Sequence, residues 1–124
     1  MNLEIVLGNI VEAKTDAILN CANCFLERGG GVCGAIFERA GVKELEKECQ
    51  EIGGCEIGHA VITKGYNLYA KYIIHAVGPF YYGREEDSKK LEEAYLSALK
   101  LADENNVKTF ALCSVSTGIF GFPL

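Results

Sequence analysis

"GGGVCGAIFERAG" spans Gly29–Gly41. Three glycines run straight into a segment where Val32, Ala35, Ile36 and Ala40 recur at helical spacing, and Gly41 supplies a C-terminal stop. Glycine does not favour a helix, and inside one it costs roughly 0.5–1 kcal/mol relative to alanine. Placed just before a helix, it lets the backbone turn sharply and leaves the first N–H groups uncovered. Directly upstream, "DAILNCA" (Asp16–Ala22) is a short apolar run, the mark of a buried strand. Strand, glycine loop and helix form the unit from which the rest of the chain is read.

Working outward, "LEIVL" (Leu3–Leu7) reads as a strand ended by Gly8. Leu45, Cys49 and Ile52 give a second amphipathic helix, stopped by Gly53 and Gly54. "HAVIT" (His59–Thr63) and "YIIHAV" (Tyr72–Val77) are two more strands, joined by the turn "KGYNLYAK". "GPFYYGREEDS" reads as an irregular stretch, its charge run Arg84–Asp87 a solvated loop and its Tyr81 and Tyr82 open to a cleft role. Leu91, Ala94, Tyr95, Ala98, Leu99 and Ala102 form the clearest helical stripe, ended by Asn105 and Asn106. "TFALCSV" (Thr109–Val115) is a fifth strand, and "STGIFGFPL" is a second glycine-bearing loop. Strands alternating with helices predict an α/β fold, one domain, with much of the sheet parallel and helices on both faces.

Composition narrows the function. The 124 residues are 49% hydrophobic with charges of both signs, so the chain reads as globular. A net charge of −5 with no basic tail argues against general nucleic-acid or membrane-surface binding. No stretch reaches the roughly 18 apolar residues of a membrane span. The start "MNLEIVLGNI" has no basic region of a signal peptide, so a cytoplasmic location is expected. In a reducing compartment the six cysteines are expected to be mostly thiols. Cys21 and Cys24 have C-x-x-C spacing, with Cys33 downstream, but nothing completes a zinc site, and no metal or cofactor is expected.

In α/β sheets, ligands bind beyond the carboxyl ends of strands, often at helix N-termini. "NCFLERGGGV" and "STGIFGF" both occupy such positions. They would cradle a phosphate or diphosphate on backbone N–H groups without lysine; the alternative is that Gly29–Gly31 is only a flexible turn. Asn23 reads from the residues alone as a turn cap, Phe120 as core packing, His75 as a hydrogen-bonded core histidine, and His59 as a surface residue.

Six segments, in order, resemble the macro domain family, which binds ADP-ribose. "GNI" (Gly8–Ile10) is similar to its "GDI", "DAILNCAN" to "DAIVNAAN", and "GGGVCGAI" to "GGGVDGAI". "GGCEIGHAVIT" and "KYIIHAVGP" resemble its middle strands, and "SVSTGIFGFP" resembles "AISTGIYGYP". The resemblance implies a three-layer α/β/α mixed sheet with an ADP-ribose cleft at one end. It implies that Asn9, in place of an Asp, accepts from the adenine amino group, and that Ile10 offers a backbone N–H to the base. Ala22 and Asn23 would reach the distal ribose. Gly30, Gly31 and Val32 would wrap the diphosphate from one side, and Ser116, Thr117, Gly118, Ile119 and Phe120 from the other.

Two departures follow from the same comparison. Hydrolases of the family carry an Asp where this chain has Cys33, and often a His where it has Phe37. The partner Asn is kept at Asn23, so Asn23 and Cys33 are the candidate catalytic residues for the alternative, removal of mono-ADP-ribose or deacetylation of O-acetyl-ADP-ribose, with binding of ADP-ribose or ADP-ribosylated protein expected to outlast hydrolysis. Cys33 is expected in the first helical turn, facing the distal ribose and more reactive than Cys49. Second, the family continues past this point with a helix, a strand and a helix. A partial domain is therefore expected, whether a fragment, a truncated gene or half of an exchanged assembly in which a second copy completes the sheet, with an unfilled slot between the first strand and the one ending near Cys113.

Overall fold

A computed structural model describes residues 4–7, 9–79 and 83–112. The elements are β1 (Glu4–Leu7), a 3-10 turn (Ile10–Glu12), β2 (Ala17–Cys21), α1 (Gly31–Ala40), α2 (Val42–Ile52), β3 (Ala60–Lys64), β4 (Tyr72–Ala76), α3 (Glu85–Glu104) and β5 (Thr109–Leu112). Every expected strand and helix is present, with edges moved by a residue or two except at α3, which begins six residues before its apolar stripe, inside the stretch read as irregular. Cys113 to Val115 of the expected fifth strand, the loop Ser116–Leu124, and Tyr81 and Tyr82 lie outside the described residues.

The five strands form one sheet in the order β1-β5-β2-β4-β3. β1, β5, β2 and β4 run parallel, and β3 is antiparallel to β4. The expected slot beside β1 is absent. β1 pairs directly with β5, from Glu4 opposite Thr109 to Leu7 opposite Leu112. Strand N–H and C=O groups are costly to leave unpaired, and β1 pairs those of one side with the neighbour it meets. The reason for expecting a second copy to fill that slot thereby falls away.

β2 lies at the centre, and all five of its residues are buried. The start of β2 ties three strands together. The Asp16 carbonyl accepts from the N–H groups of Lys71 (3.0 Å) and Tyr72 (3.1 Å), at the head of β4. Its Oδ2 accepts from the N–H groups of Lys108 (2.8 Å) and Thr109 (3.2 Å), at the head of β5. Its own N–H donates to Thr109 Oγ1 at 2.8 Å. The Lys108 N–H above all, opposed in part by desolvation, holds the Asp16 carboxyl below its ordinary value.

Helices cover both faces. Ile18, Ile73 and Val77 pack under α1 and α2 with Ile36, Phe37, Leu45 and Cys49. Ala17, Leu19, Ile74 and Ala76 pack under α3 with Ala94, Ala98 and Ala102. The expected face of α1 is rotated: Cys33, Ile36, Phe37 and Ala40 are buried, whereas Val32 is 46% exposed. Val32 and Cys33 compete for one stripe, and Phe37 decides the phase because a buried aromatic ring removes the most apolar surface from water. Gly41 (φ +119°) and Gly53 (φ +90°) end α1 and α2 in conformations that other residues resist.

The charge run Arg84–Asp87 is not a solvated loop. Glu85, Glu86 and Asp87 form the first turn of α3, where negative charge suits the helix dipole. Asp87 is only 1% exposed. It accepts from the Arg84 N–H at 3.3 Å and from the Arg84 guanidinium at 2.7 Å, while its own N–H donates to the Arg84 carbonyl at 3.2 Å.

His75, on β4, is fully buried and is the core histidine expected. Asn20 Nδ2 lies 3.0 Å from its Nδ1, and Thr63 Oγ1 lies 2.9 Å from its Nε2. Assigned from this network, Asn20 donates to Nδ1, Nε2–H donates to Thr63, and Thr63 donates to the Lys64 carbonyl at 3.3 Å. Burial pushes the imidazole down to about 4 from 6.5. A base whose folded pKa is depressed opposes protonation, so its stabilising share is whole above pH 6.5 and falls away between 6.5 and 4. At about 1.4 kcal/mol per unit, urea unfolding at pH 5 is expected to show about 2 kcal/mol less stability than at pH 7. His75→Gln, which cannot titrate, is expected to flatten that difference; an unchanged pH dependence would remove His75 as its source.

Candidate functional site

The carboxyl ends of β1, β2, β4 and β5 all open on one edge of the sheet. The β2–α1 connection starts there. Ala22 is 2% exposed, and its N–H is committed to the Ala76 carbonyl at 2.9 Å, so it extends the sheet by one rung. Asn23 follows and is exposed. Its Oδ1 accepts from the N–H groups of Phe25 and Glu27, both at 3.0 Å. This is the turn-capping role read from the residue type. The amide nitrogen takes no part in those two bonds.

The turn delivers the chain to Gly29–Gly31. Gly30 caps α1 without any side-chain hydrogen bond, and no acidic residue stands in the first turn. Among the described residues the first N–H groups of α1 are therefore uncovered by charge or side-chain cap, at its positive end. Gly31 adopts φ +57°, and around Gly30 and Gly31 there is open space. Gly34 has the opposite reason to be glycine. A Cβ there would lie 2.6 Å from the Gly29 carbonyl, so the loop folds back onto the helix at this residue. The Gly34 N–H also donates to Gly30 at 3.2 Å. Arg28 and Glu38 form an ion pair that braces the loop against α1.

Cys33 is in the first turn, as expected, but its side chain points inward. It is 5% exposed, packs with Ile36 and Phe37, and its thiol donates to the Glu27 carbonyl at 3.8 Å. The expected exposure of Cys33 towards a ligand is therefore corrected: turning α1 to bury Phe37 takes Cys33 with it. Cys49 is buried as read, and burial pushes its thiol up to about 11. Exposed Cys24 and half-buried Cys55 lie beside the turn. Among the described residues no three His, Cys, Asp or Glu side chains group to hold a metal ion.

The 3-10 turn packs against α1 and β2, which brings Asn9 and Ile10 to the same edge. Asn9 is exposed, and its side chain makes no cap bond. The Ile10 side chain is core. Ser116, Thr117, Gly118, Ile119 and Phe120 follow β5 in sequence but lie outside the described residues. Two features escaped sequence reading. Phe25, 71% exposed, sits on the Asn23 turn, and nothing in the sequence distinguishes it from a core aromatic. An open hollow of about 420 Å³ lined by Tyr66, Tyr69, Lys71 and Tyr72 lies at the amino ends of the strands, away from the glycine loop.

The family model for the macro domain matches residues 19–124, from within β2 onward. The chain belongs to the macro domain family. Its relatives include FN1951 of Fusobacterium nucleatum, 52% identical over 98% of this chain and 70% of that one. They also include the ADP-ribose glycohydrolase MACROD2 of Homo sapiens, 49% identical over 94% of this chain but 28% of that one. The Oceanobacillus iheyensis macrodomain with ADP superposes at TM-score 0.86 and 37% identity, covering 96% of this chain and 66% of that structure. The α/β/α arrangement expected from the sequence is thus that of solved macrodomains. No helix among the described residues is long and apolar enough to cross a membrane.

Two glycine substitutions in this macro domain separate packing from open backbone. Gly34→Ala pushes a methyl group into the Gly29 carbonyl and is expected to cost about 1–3 kcal/mol. Gly30→Ala, with φ −89° and nothing within 4 Å, is expected to leave the thermal midpoint within about a degree or two. Equal midpoints for the two variants in a thermal melt would contradict the close approach at Gly34.

Proposed function

We propose that this macro domain binds ADP-ribose, free or attached to protein, across the edge where β2 ends. The observation that carries the reading is the uncapped start of α1, with exposed glycine backbone and open space around Gly30 and Gly31. A diphosphate placed there takes hydrogen bonds from backbone N–H groups and the positive end of the helix, which suits a chain of net charge −5. In this reading Asn23, with its Oδ1 already spent, turns its amide nitrogen to a ribose hydroxyl. Asn9 takes the adenine amino group and Ile10 offers its N–H. The segment Ser116–Phe120 closes over the diphosphate from the side of β5. The adenine and sugar roles rest on likeness to the family.

A second reading, removal of ADP-ribose from protein, is favoured by the likeness to MACROD2. Against it stands Cys33, buried and bonded to the Glu27 carbonyl, which puts no carboxylate at the cleft. Acid–base assistance of that kind contributes about 10²–10⁴-fold, so binding without appreciable turnover is the function the site supports best.

Calorimetry is expected to show ADP-ribose binding at least about tenfold tighter than AMP, a difference of about 1.4 kcal/mol, because AMP lacks the diphosphate and distal ribose. Equal affinities would defeat the reading. With a mono-ADP-ribosylated protein as substrate, the wild-type chain is expected to show little turnover, because the thiol at Cys33 is packed in the core; brisk wild-type turnover would instead favour the hydrolase.

A further inference from the structure

Beside Asn23, two cysteines from different segments meet. The Cys55 N–H donates to the Cys24 carbonyl at 2.8 Å. A Cβ placed on Gly54 would lie 2.9 Å from that same oxygen, so the α2–β3 loop and the β2–α1 turn touch backbone to backbone. With a carbonyl oxygen about 2.4 Å from its own Cα and an amide nitrogen about 1.5 Å from its own, that single hydrogen bond keeps the two Cα atoms within about 6.7 Å of each other. That spacing falls inside the roughly 4.4–6.8 Å over which a disulfide closes. Cys24 is exposed and Cys55 half-buried, and neither has a task in the binding reading. The two thiols feel one another: besides burial and Glu56, the charge of Cys24 raises the pKa of Cys55.

We propose that Cys24 and Cys55 form a reversible redox site, closing a disulfide that fastens the turn carrying Asn23 to the α2–β3 loop, with a small-molecule disulfide of the glutathione type as oxidant. The exposed Cys24 thiolate attacks one sulfur of the oxidant, forming a mixed disulfide and expelling one thiolate. Cys55 gives its proton to solvent and attacks the Cys24 sulfur, forming the Cys24–Cys55 bond and expelling the second thiolate. Two protein thiols are oxidised to one disulfide, and one small-molecule disulfide is reduced to two thiols. Exposure assigns the roles: Cys24 meets the oxidant, and Cys55 resolves the intermediate. Cys33 and Cys49, 5% and 2% exposed, provide an internal comparison, since burial withholds them from solution reagents.

The test uses the whole chain in glutathione buffers of rising oxidised fraction, followed by alkylation, digestion and peptide mass mapping. The expected result is loss of two alkylatable thiols together, a crosslinked Cys24–Cys55 peptide, and full reversal by dithiothreitol. Cys55→Ser is expected to hold Cys24 as a stable glutathione adduct, and Cys24→Ser to leave Cys55 unmodified at the same ratio. Circular dichroism checks that both variants fold. A lasting glutathione adduct on wild-type Cys24, a crosslink to any other cysteine, or two thiols that stay reduced at every ratio would overturn the proposal. The mapping needs no nucleotide, so its outcome is independent of ADP-ribose binding.

Discussion

Asp16 is the residue on which the arrangement of the site depends. One carbonyl, one carboxylate oxygen and one N–H tie the head of β2 to the heads of β4 and β5. Parallel strands have no hairpin to set their register, so it must come from the hydrophobic pattern and from contacts such as these. With the three heads fixed, Ala17 stands opposite Tyr72 and Phe110, and the strands end on one edge. The β2–α1 turn leaves from that edge. A slip of one residue would turn every buried side chain of β2 to the other face and carry Asn23 away from α1.

From this anchor the rest of the site follows by short steps. Asn23 shapes the turn, the turn presents three glycines, and Gly34 allows the loop to lie against the helix it opens. The glycines serve different needs. Gly34 is required by contact and Gly31 by a positive φ, whereas Gly30 stands in open space among the described residues. Burial of Phe37 sets the rotation of α1, and that rotation draws Cys33 into the core. Where a hydrolase needs an ionised group, this chain has a packed thiol. The proposed separation of binding from turnover comes from that packing as much as from the missing carboxylate.

Much of this was legible in the sequence because it is local. The run Asp16–Ala22, the glycines and the stop at Gly41 specify strand, loop and helix within a few residues of one another. His75 among apolar neighbours on a strand reads as a satisfied core histidine, and Asn20 and Thr63 supply its bonds. What the sequence hid depends on distant partners. The pairing of β1 with β5 joins residues about a hundred positions apart and displaces the expected slot. Glu85–Asp87 reads as solvated until Arg84 and the helix dipole are seen to bury Asp87. The phase of α1 was ambiguous because Val32 and Cys33 are neighbours, and only the sheet beneath decides between them.

Ligand is proposed to meet the chain at the uncapped start of α1. Backbone amide resonances followed by NMR during an ADP-ribose titration test that placement most directly. The largest shifts are expected at Asn9, Ile10, Asn23 and Gly30–Cys33, while the opposite pole at Tyr66–Tyr72 stays still. Saturable shifts centred on that pole, with Gly30–Cys33 unmoved, would contradict it.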